Sequence, residues 1–162
     1  VGNEETWPHL LSKEIDHKHI NFGIQGLSND TISRSVLTYV ETLTPDLVVV
    51  LWTYPHRREY ITKDGQRCSF IPDSKWYWWD SKEGEIAHKS LTTIQNDEYD
   101  NDNLYRNQLL VENFLKNRGI RYISYTIGEF RKNHWLDVAV DKGHAGVKSN
   151  KSFVKNICDR YL

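Results

Sequence analysis

The sequence predicts an α/β protein, a three-layer α/β/α sandwich on a mainly parallel sheet, and three observations carry that prediction. The run "LVVVLWT" at Leu47–Thr53 is unbroken, apolar and β-branched, as expected of a strand covered on both faces. Amphipathic helical patterns with capping residues lie on either side of it, at Thr31–Leu43 and from Asn101 to Gly119. Two further apolar runs, His19–Ile24 and Ile120–Tyr125, give a strand–helix–strand alternation. That order builds parallel sheets flanked by helices.

Taken in turn, Thr6 caps a first helix with Pro8 in its opening turn and Leu10, Leu11 and Ile15 on one face. The strand His19–Ile24 is broken by Gly26. Asn29 or Asp30 then caps a helix whose Ile32, Val36, Val40 and Leu43 point inward. "TPD" ends that helix before the Leu47–Thr53 strand. A hairpin is expected around Asp64-Gly65. The aromatic cluster Trp76–Trp79 reads as a lid or wall burying its rings, with a substrate-facing ring as the minority option. Asn101 or Asp102 caps the next helix, where Leu104, Val111, Phe114 and Leu115 face inward and Gly119 closes it. The last helix, Ser149–Leu162, carries Phe153, Val154, Ile157, Cys158, Tyr161 and Leu162 at helical spacing.

Composition narrows the function classes. A length of 162 residues suits one domain, 1–162, with a real core. A net charge of −1 leaves no footprint for nucleic acid, and no apolar run is long enough to span a membrane. Two cysteines, Cys68 and Cys158, make a poor disulfide framework, so a reducing, cytoplasmic setting is expected. The histidines of His17-Lys18-His19 lack partners at ligand spacing, so no metal is expected. Neither a P-loop nor G-x-G-x-x-G occurs, so no cofactor is expected either. The chain opens on Val1, and its natural start is expected upstream.

Ligands of open α/β sheets bind beyond the carboxyl ends of the strands. Three loops there carry chemistry: "GIQGLSND", "TYPHRREY" and "DKGHAG". An acid three residues before a histidine, with Gly143 and Gly146 freeing the turn, allows the carboxylate to fold back and accept from the imidazole. In "HRRE", Arg57 or Arg58 can hold an anionic substrate, and exposed charge pairs are an equal alternative.

Together "ETWPHLLSKEI", "INFGIQGLSND", "DLVVVLWTYPHRREY" and "DKGHAGVKSN" resemble the SGNH (GDSL-type) hydrolases, small phage or marine-microbial members in particular. The resemblance spans nearly the whole chain and is weakest from about Arg67 to Asn96. It implies a flavodoxin-like sheet and a serine esterase acting on a carbohydrate or lipid ester. Asp141 and His144 become the acid and base, and Gly26 an oxyanion donor. Thr53 stands where the family's third block places a donating asparagine, and its hydroxyl is the candidate replacement. Asn29 and Arg57 are the candidate substrate contacts. The family's Gly-Asp-Ser turn is expected ahead of Val1, so the chain reads as N-terminally truncated. Loss of the strand before that turn predicts either homo-oligomers or direct pairing of the neighbouring strands. Ser28 is the tempting internal nucleophile, but Asp30 occupies the last glycine position of a nucleophile elbow, and capping explains the loop better. A binding module that keeps the fold without the nucleophile is the alternative function. An unrelated flavodoxin-like domain is the third.

Overall fold

A computed structural model of the chain describes residues 3–24, 26–72, 82–139, 142 and 144–161. Among these it is a mixed α/β protein with six α-helices, a small mostly parallel sheet and a separate antiparallel pair. The chain divides into two compact units, Ile24–Ser124 and the combination of Val1–Gly23 with Tyr125–Leu162. Both cysteines are free thiols. No helix among the described residues is long and apolar enough to cross a membrane.

The unit Ile24–Ser124 holds most of the strands. Strand β1, Leu47–Trp52, pairs with β4, Arg121–Thr126, whose last two residues open the other unit. Helices α2, Asn29–Leu43, and α4, Asp97–Lys116, supply apolar faces to the same core. Val40, Val50, Trp52, Leu104, Val111 and Leu115 are its buried centre. Trp52 is completely buried, and its indole N–H has a partner there, donating to Ser124 Oγ at 2.9 Å. A buried indole without such an acceptor would be costly.

The hairpin predicted at Asp64-Gly65 is present. Strand β2, Arg58–Ile61, runs antiparallel to β3, Arg67–Phe70, with Glu59 opposite Ser69 and Tyr60 opposite Cys68. Gly65 takes a left-handed φ of 85° at the turn, which a β-carbon would oppose. Polar pairs fasten this hairpin to the helices. The Glu59 carboxylate accepts from Thr31 Oγ1 at 2.7 Å and from Arg34 and Arg67. Asp30 accepts from the Glu59 N–H and from the amides of Asn103 and Asn107.

In the other unit α1, Trp7–Glu14, and α6, Val147–Tyr161, pack together with α5, Ile127–His134. Phe153, wholly buried, is the hub: the rings of Trp7, Tyr125, Phe130 and His134 lie 4.8 to 5.5 Å from it.

Several expectations need correction. His19–Ile24 is not a strand: the segment has no regular secondary structure, and Ile20, Phe22 and Ile24 are 62%, 44% and 68% exposed. Alternating apolar residues describe how a strand would be coloured, but a strand also needs a neighbour to satisfy its backbone. With that strand absent, its direct pairing with β1 is absent too. The second helix begins at Asn29, capped by Ser28. Helix α4 starts a turn earlier than predicted, because the Asn96 side chain accepts from the Tyr99 N–H at 2.8 Å. The last helix starts at Val147. Helices α3, Lys82–Ile94, and α5 had no counterpart in the prediction. The aromatic cluster Trp76–Trp79 lies outside the described residues.

Candidate functional site

Two loops meet where β1 ends. The first is the turn from Gly26 into α2, and the second runs from Thr53 to Arg57. Gly26 has a left-handed φ of 81°, which explains a glycine there. Two residues on, Ser28 accepts from the Thr31 N–H at 3.2 Å and caps α2. Ser28 is fully buried. A capping serine sealed from water is spoken for, so this residue is not an exposed nucleophile.

Asn29 joins the loops. Its Oδ1 accepts from the Thr53 N–H at 3.0 Å, and its Nδ2 donates to the Tyr54 carbonyl at 3.1 Å and, more weakly, to that of Thr53 at 3.5 Å. The residue has no exposed surface. The expected substrate contact is therefore placed as a strut inside the protein. An amide suits it, because one side chain must both accept and donate. Thr53's backbone N–H is thereby committed, which leaves its hydroxyl for any oxyanion role. Tyr54 to Arg57 form a tight turn, with the Arg57 N–H donating to the Tyr54 carbonyl at 3.1 Å and Pro55 fixing the backbone between them. Arg57 is half-buried beyond that turn.

The third loop belongs to the other unit. Val138 and Ala145 form an antiparallel bridge, and the Ala139 N–H donates to the His144 carbonyl at 2.9 Å. The loop tip turns through Lys142 at φ 58°. Its base is held by a residue the sequence reading passed over. Asp137 accepts from the N–H groups of Lys148 and Ser149, at 3.0 and 2.8 Å, and from Ser149 Oγ at 2.6 Å. These are orphan donors of the first turn of α6, so the carboxylate caps that helix. The hydrogen bond from Ser149 holds the Asp137 carboxyl below the usual carboxylate range. A β-carbon on Gly146 would stand 2.5 Å from Asp137 Oδ2, so glycine is needed where the loop enters the helix. His144 is exposed on this loop. Asp141 lies outside the described residues.

Thus Gly26, Asn29, Thr53 and Arg57 sit in one unit, with Asn29 bonded to Thr53, while His144 sits in the other. A different serine–histidine contact is visible, His134 Nδ1 to Ser152 Oγ at 3.1 Å. His134 is buried beside Phe130 and Phe153, and burial pushes its pKa down, which favours a neutral structural imidazole. A shallow depression along α3, lined by Glu85, His88, Lys89, Thr92 and Thr93, includes none of the candidate residues. Among the described residues no group of three His, Cys, Asp or Glu side chains is placed to hold a metal. No family model, no curated protein and no solved structure matches this chain.

Proposed function

We propose that the chain carries the oxyanion loop and the acid–base pair of an SGNH-type serine esterase, on a three-layer flavodoxin-like fold in a reducing, cytoplasmic setting. The observation that supports it best is the Asn29 strut. It locks the left-handed turn at Gly26 to the loop after β1, in the sheet region where α/β proteins bind ligands. Preorganised donors of this kind need no rearrangement as charge develops.

In this scheme a serine Oγ attacks the carbonyl carbon of a carbohydrate or lipid ester while His144 takes its proton. Asp141 orients the imidazole and stabilises its charged form. The Gly26 N–H and the Thr53 hydroxyl donate to the oxyanion. Collapse expels the alcohol with the proton from His144, and water then releases the acid. Ser28 caps α2 and Ser149 is buried against Asp137, so neither is the attacking serine of this scheme. The burial of those two serines also favours a second reading, a module that binds esters without cleaving them.

Hydrolysis of p-nitrophenyl acetate separates the two. The 162-residue chain is expected to turn over barely above background. A chain extended at its N-terminus with a strand and a Gly-Asp-Ser turn is expected to gain activity that His144→Ala removes. An extended chain that stays inert towards acetylated sugars and short acyl esters would favour the binding module.

A further inference from the structure

Among the described residues Arg57 is a cation without a counterion. Its neighbour Arg58 is fully employed: its guanidinium pairs with Asp100 at 2.8 Å, donates to the Tyr99 carbonyl at 2.7 Å and lies 4.4 Å from the centre of the Tyr99 ring. Arg34 and Arg67 share Glu59. Among the described residues Arg57 forms no ion pair, and its Nε is buried with no hydrogen-bond partner. A guanidinium nitrogen drawn out of water without an acceptor costs free energy, and the loop that carries this one is tied down by hydrogen bonds. The Tyr54 carbonyl at the head of its turn accepts from Asn29, and the His56 carbonyl accepts from Gln95 at 3.2 Å. The Tyr54 and His56 rings stack at 5.3 Å and 6° between planes, with the Arg57 guanidinium 5.4 Å from the Tyr54 centre. Burial lowers the Arg57 pKa, which agrees with a charge that lacks its partner.

We propose that Arg57, with the stacked Tyr54–His56 pair, forms a subsite for a small organic anion, a carboxylate or a phosphate ester. The guanidinium supplies a planar fork for two oxygens, and its partial burial strengthens the attraction. The aromatic pair offers a flat wall for the ligand's body. Only the naming of this anion as part of an ester substrate rests on the esterase reading. On that reading the preferred esters carry a negative group.

Calorimetric titration of the 162-residue chain with benzoate, phenyl phosphate and neutral benzamide tests the site without any turnover. Saturable binding of benzoate or phenyl phosphate is expected, with benzamide much weaker, and the stronger of the two anions identifies the ligand chemistry. Arg57→Gln should weaken the anion on the order of ten- to a hundredfold. Arg57→Lys, which keeps the charge and loses the fork, should fall between. Arg106→Gln, at an exposed ion pair, should change nothing. Should Arg57→Gln fail to fold by circular dichroism, the benzamide comparison and Arg57→Lys still decide. Equal binding of benzamide, no binding of either anion, or unchanged affinity in the Arg57 variants would overturn the subsite. Esterase failure with anion binding intact would leave it standing.

Discussion

The loop after β1 and the loop before α6 solve the same problem with different chemistry. Each leaves regular structure and needs its backbone groups satisfied, and each is fixed by one polar side chain. Asn29 does it with an amide that accepts from Thr53 and donates to Tyr54. Asp137 does it with a carboxylate that only accepts, from Lys148 and Ser149. The amide is wholly buried and carries no charge. The carboxylate gains from the helix dipole, but it titrates. Thus the candidate oxyanion loop is held independently of pH, while the loop bearing His144 is held by a group that acid can discharge.

Asn29→Ala should have the largest effect. It leaves the Thr53 N–H and the Tyr54 carbonyl without their buried partner, a loss of about 3 kcal/mol. Urea unfolding should report that loss, and Asn29→Asp should not rescue it, because a carboxylate cannot donate to Tyr54. A loss no greater than that of an ordinary surface substitution would break the comparison.

Acid should separate the loops more subtly. His134 has a lowered folded pKa, so its contribution is complete above about pH 6.5 and shrinks as pH falls from there towards the folded value. Asp137 also has a lowered folded pKa, so its contribution is present above about pH 3.9 and is lost as pH falls through its folded value. Glu59 behaves alike. Burial alone would raise it, but hydrogen bonds from Arg34, Thr31 and Arg67 outweigh that. Glu59 ties α2 to β2 and does not hold Thr53. Hydrogen exchange followed by NMR should therefore show the Lys148 and Ser149 amides losing protection in acid before the Thr53 amide does. Simultaneous loss at all three would mean that the loops open only with global unfolding.

What the sequence revealed follows the range of the interactions. The core strand at Leu47 and the hairpin at Gly65 are local patterns, and both are present. The capping box of Thr126 and Glu129 that starts α5 is equally local and was there to be read. His19–Ile24 misled because periodicity cannot reveal whether a strand has a neighbour. The Asn29 strut reaches 24 and 25 residues along the chain, and the pairing that engages Arg58 reaches 42. Local spacing carries no trace of either, so the roles of Asn29 and of Arg57 against Arg58 emerged only from the folded molecule.

The esterase account is tested most directly by covalent labelling with a fluorophosphonate, read by intact mass and peptide mapping. In the chain extended with a Gly-Asp-Ser turn, the account predicts one adduct on the added serine, lost in His144→Ala and strongly reduced in Asp141→Asn. Labelling of Ser28 in the 162-residue chain, or equal labelling of the added serine without His144, would contradict it.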